Sequence, residues 1–85
     1  MTNLVSLKQY RNDMIDFLSN KYSIDIDYIW SEIHLAKDYQ KNCIVIDTDD
    51  LECMNEDLPE LFRYFSFHNM SHEFIDKHRF ILGWS

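Results

Sequence analysis

At 85 residues, 46% hydrophobic and 15% aromatic, the chain has apolar surface for one small core and too little length for two domains, so residues 1–85 read as a single domain. Its formal net charge of −7, with eight scattered Lys and Arg and no basic stripe, argues against direct nucleic-acid binding. A single glycine, Gly83, excludes a phosphate loop, a dinucleotide fingerprint and a nucleophile elbow.

With only Gly83 and Pro59 as breakers, the turns must be built by Asn, Asp and Ser, which tolerate the required backbone angles. Two cysteines, Cys43 and Cys53, are too few for a disulfide-stapled secreted domain. The N-terminus lacks the pattern of a signal peptide, and the longest apolar runs, Cys43 to Ile46 and Phe80 to Trp84, fall far short of a membrane span. A cytoplasmic protein with free thiols and no membrane partner is expected.

In chain order, Ser6 to Asn20 has the spacing of an amphipathic helix capped by Ser6, with Leu7, Tyr10, Met14, Phe17 and Leu18 on its inward face. Asp27 to Gln40 is helical in period but carries two apolar stripes. One holds Ile26, Ile29, Trp30, Ile33 and Ala36, and the other holds Tyr28, Leu35 and Tyr39. Such a helix either lies centrally between other elements or shows an aromatic face to a partner; the alternation of Tyr22 to Trp30 also admits a strand. Cys43 to Asp47 predicts a strand from its β-branched run. Asp49 to Met54 is expected as a short helix. Leu58 to Phe67 is a firmer one, with Leu58, Leu61, Phe62 and Phe65 inward and Pro59 in the first turn. Another helix is expected from Asn69 or Ser71 to about His78. Arg79 to Trp84 either continues it or pairs as a strand with 43–47, and a lone strand would be unstable. The fold class expected is α+β, mostly helical, with three to four helices and a short two-stranded element. An all-α bundle is the alternative.

The charge is concentrated in one segment. Residues 42–62 hold Asp47, Asp49, Asp50, Glu52, Glu56, Asp57 and Glu60 with no Lys or Arg, whereas residues 1–41 and 63–85 are nearly balanced. Part of that run has a local use: Asp49 or Asp50 could cap a short helix, and Asp57 with Glu60 has capping-box spacing. The rest forms a field that attracts basic surfaces and speeds association with them.

Chemistry at catalytic or metal centres finds little support. A calcium loop starting at Asp47 would place Leu51 and Glu52 where an oxygen ligand and a glycine are required, and Leu58 where a bidentate Glu belongs. His68 and His72 would share a face only on an unbroken helix, and no zinc-protease pattern accompanies them. Cys43 and Cys53 read as two small buried thiols. No catalytic residue, metal ligand or cofactor is assigned.

These observations suit a small acidic inhibitor that masks a basic surface of a partner protein. The partner would be a nuclease, toxin or nucleic-acid-binding protein, met by an immunity protein, an antitoxin or a phage-encoded nucleic-acid mimic. The seven acids, with Tyr28 and Tyr39, are the candidate contact residues. The alternative is a structural or regulatory subunit that homodimerises through the Tyr28, Leu35 and Tyr39 helix face.

Overall fold

A computed structural model describes residues 4–84, with side chains from Leu7 onward. Among these residues three α-helices and one antiparallel sheet form: α1 (Leu4–Lys21), α2 (Ser23–Asp38), β1 (Cys43–Asp47), α3 (Leu58–Ser66), β2 (Ser71–Phe74) and β3 (Arg79–Gly83). The α+β class holds. The sheet has three strands and not two, in the order β1-β3-β2.

The β-branched run Ile44-Val45-Ile46 makes β1 where the sequence places it, and the tail pairs with it as β3, Val45 opposite Ile81. The expected helix over 69–78 does not form. Ser71–Phe74 is instead a strand on the other side of β3, and Asp76 shapes the turn between them by accepting the backbone N–H groups of His78 and Arg79, both at 2.9 Å. That carboxylate also holds Arg79 at 2.7 Å, which keeps Asp76 below the usual carboxylate range. Alternation puts Ile44, Ile46, Phe80 and Leu82 on one buried face, while Val45 on the opposite face is exposed.

The helices cover that buried face. On α2, Ile26, Ile29, Ile33 and Ala36 are buried as one stripe, and the strand reading of Tyr22 to Trp30 is overturned. The second stripe is divided: Tyr28 packs half-buried against the core, whereas Leu35 is 53% and Tyr39 72% exposed, so α2 is an outer helix and not a central one. On α3, Leu58, Leu61, Phe62 and Phe65 all point inward as the spacing requires, and Trp30 Nε1 ties the two helices by donating to the Tyr64 hydroxyl at 3.0 Å. The inward face of α1 is narrower than expected. Leu18 is fully buried and Met14 and Ile15 pack on the core, but Leu7, Tyr10 and Phe17 are exposed. Among the described residues this helix already includes Leu4, so Ser6 lies within it and not at its cap.

Both α2 and α3 are followed within three residues by one in the left-handed region, Gln40 at φ 59° and Asn69 at φ 63°. The amide of Lys41 returns to the Ala36 carbonyl and that of Met70 to the Phe65 carbonyl, which closes the last turn in each case. These are the glycine-free turns that the composition demands.

Candidate functional site

The acidic segment leaves β1 at Asp47 and reaches α3 at Leu58 without regular helix. The expected helix over 49–54 is only a single 3-10 turn, Thr48–Asp50. Its cap is Asp47, whose carboxylate accepts the Asp49 N–H at 2.9 Å, so neither Asp49 nor Asp50 has the capping role. Buried Thr48 anchors the turn by donating its N–H to the His78 carbonyl at 2.7 Å.

The stretch that follows is pinned from the opposite layer. Asp25, in the first turn of α2, is only 3% exposed, and its carboxylate accepts the backbone N–H of Glu52 at 2.7 Å and of Cys53 at 2.9 Å. A buried carboxylate with two short amide donors is a strong and rigid clasp. Farther on, Asp57 accepts the Met54 N–H at 3.3 Å within a second 3-10 turn, Asn55–Asp57, and makes no side-chain cap for α3, so the Asp57–Glu60 capping box is not formed there. Glu60 faces Lys21 at 3.3 Å, an exposed pair.

The seven acids therefore divide. Asp47 and Asp57 shape the loop and Glu60 is offset by Lys21, while Asp49, Asp50, Glu52 and Glu56 are exposed and take part in no salt bridge among the described residues. Tyr28 joins this group. Its hydroxyl is pushed above the usual tyrosine range by burial and then by the negative charges of Asp50, Glu32 and Asp47, which converge on it from the loop and from α2. At neutral pH it remains a protonated donor beside carboxylates. Tyr39 lies elsewhere. Eleven residues along α2 place it about 16 Å from Tyr28, where it lines a groove of about 500 Å³ with Leu35, Lys41 and Val45 along the outer edge of β1.

The cysteines and histidines form no common site among the described residues. The Cys53 thiol, near Asp25, is pushed up to about 12 by burial and by that carboxylate, so it carries no thiolate at neutral pH. Cys43 is exposed, contrary to the expectation of a buried thiol. His68 and His72 do not share a helix face. His72, on β2, stacks on Phe62 at 4.1 Å, whereas His68 follows α3 and sets its ring edge-on to Trp30 at 5.3 Å. Burial and the nearby Arg11 hold His68 below its ordinary value. Among the described residues no group of three or more His, Cys, Asp or Glu side chains could hold a metal ion, and no helix is long and apolar enough to cross a membrane.

No protein-family model, no curated protein and no solved structure matches the chain. The acidic run was plain in the sequence, but two participants were not. Glu32 looks like an ordinary solvated acid on α2, and Asp25 looks like a helix N-terminal residue; only the approach of the loop to α2 gives each its role.

Proposed function

We propose that this is a non-catalytic acidic binding protein that masks a basic surface of a partner protein, in the manner of an immunity protein, an antitoxin or a phage-encoded nucleic-acid mimic. One observation carries the reading. The acidic loop is clamped by Asp25 at two backbone amides while Asp49, Asp50, Glu52 and Glu56 stay exposed and outside any salt bridge among the described residues. Carboxylates carried on a pinned backbone lose less freedom on binding than those of a loose loop, and they can occupy the places where a basic groove expects phosphates. Tyr28 and Glu32 extend the patch onto α2 and supply an aromatic anchor beside the charges.

The test is a comparison of the wild-type chain with the quadruple variant Asp49→Asn, Asp50→Asn, Glu52→Gln and Glu56→Gln as bait in the native host, with captured proteins identified by mass spectrometry. A basic protein should be retained by the wild type and lost by the variant. Its association rate should fall steeply with added salt, because screening weakens long-range attraction between exposed charges. Equal retention by both baits, or an association rate indifferent to salt, removes the acidic loop as the contact surface.

A further inference from the structure

β1 is an edge strand, and half of its backbone hydrogen-bonding capacity faces outward. Asn42 and Thr48 bond across to Trp84 and His78, and the register continues that pattern through Ile44 with Leu82 and Ile46 with Phe80. By the alternation of an antiparallel ladder, the N–H and C=O groups of Cys43, Val45 and Asp47 then point to the open edge. The central residues of this edge carry no guard against pairing: Ile44, Val45 and Ile46 include no proline, lysine or inward-facing charge, and the strand's one charge is Asp47 at its end. The opposite edge, β2, has the sequence Ser-His-Glu-Phe and is exposed throughout.

The sequence around β1 is complementary to itself. In an antiparallel pairing centred on Val45, Ile44 faces the Ile46 of a second copy, and Val45 faces Val45. Cys43, Val45 and Asp47 then satisfy one another's outward groups in every facing pair. The same register brings Lys41, two residues before the strand in each copy, toward the Asp47 end of the other, so a base approaches an acid twice. The two-fold axis keeps both helix layers on one side of a continuous sheet, and it brings exposed Leu35 and Tyr39 of the two α2 helices toward each other over the groove.

We infer that β1 is a self-pairing edge: two copies of this chain associate weakly through antiparallel β1–β1 addition, and Leu35 and Tyr39 close over the junction. A pairing only five residues long buries a small area, so the dimer is a weak one whose population rises with concentration. The inference is independent of the acidic-loop function, whose exposed carboxylates are more numerous than one lysine per copy can offset.

The experiment is sedimentation equilibrium across a wide concentration range, with amide exchange followed by NMR at both ends. The mass should rise from 10.4 kDa toward twice that value, and the amides of Cys43, Val45 and Asp47 should gain protection in step with it. Val45→Lys should abolish both effects without lowering the thermal midpoint. Val45→Pro should do the same, since that N–H bonds nothing within the chain. Lys41→Glu, which sets like charges together at each end of the junction, should weaken association. A mass fixed at 10.4 kDa up to millimolar concentration overturns the inference. So does a dimer that survives Val45→Lys, or one that forms with those three amides still exchanging freely, which would place the contact on the helix face alone.

Discussion

Asp25→Asn is the substitution most informative about how the acidic loop is held. The native carboxylate receives two amide donors at 2.7 and 2.9 Å in a nearly dry setting. Hydrogen bonds to a charged group contribute about 1.5–3 kcal/mol each, and a buried donor left unpaired costs about 1–3 kcal/mol. Asparagine keeps one acceptor as a neutral bond and turns an NH2 toward the other amide, so the expected loss is about 2–4 kcal/mol. That is about 40–80% of a margin of about 5 kcal/mol for a domain of this size. At about 4–8 °C per kcal/mol the thermal midpoint should fall by roughly 8–32 °C. Far-ultraviolet circular dichroism measures the midpoint, and amide exchange shows where the damage starts: Glu52 and Cys53 should lose protection before the sheet does. A midpoint within about 2 °C of the wild type, with both amides still protected, would refute the clasp as a source of stability.

Further outcomes follow from the burial pattern and from the turns. Ile29→Ala and Ile33→Ala, both fully buried, should each cost about 2–5 kcal/mol in chemical denaturation, whereas Leu35→Ala and Tyr39→Ala should leave the midpoint nearly unchanged because those side chains face solvent. His68 is held below its ordinary 6.5, so on acidification the unfolded chain takes up the proton first. Its contribution is complete above that value and is lost as pH falls through the depressed one. Thermal midpoints from about pH 7.5 to 5.5 should therefore drop, and His68→Phe should flatten the decline. Gln40→Gly should stabilise by about 0.5–1 kcal/mol in urea titration, since a side chain in the left-handed region is strained there and glycine is not; Asn69→Gly should change little, as asparagine tolerates that region.

What the sequence revealed and what it hid follow a physical division. β1 and α3 were legible because their apolar spacing and their packing agree: Ile44, Val45 and Ile46 form a β-branched run, and Leu58, Leu61, Phe62 and Phe65 make one helical face. Ser71–Phe74 was not legible. It has no β-branched residue and exposes every side chain, so its strand state comes from pairing with β3 and from the Asp76 turn, both outside local preference. The faces of α1 and α2 misled for a related reason. Periodicity shows which side chains lie together but not which stripe finds a partner, and Leu7, Tyr10, Phe17, Leu35 and Tyr39 are left in solvent. Of the candidate contact residues, the acidic cluster was visible as a charge count. Its division into shaping and exposed carboxylates needed the three-dimensional path of the loop.

The strand order also imposes a sequence in time. β2 and β3 are joined by a short turn that Asp76 organises from its own neighbours, so that hairpin closes at little entropic cost. β1 must find the far side of β3 across all of residues 48–78, a span that includes α3 and the acidic loop. Long-range pairings form more slowly than local ones, so the central strand spends part of each folding event with one flank bare. During that interval the run Phe80-Ile81-Leu82 is a sticky surface, and the speed with which β1 arrives decides how much of a concentrated refolding mixture reaches the native state and how much is lost to aggregation.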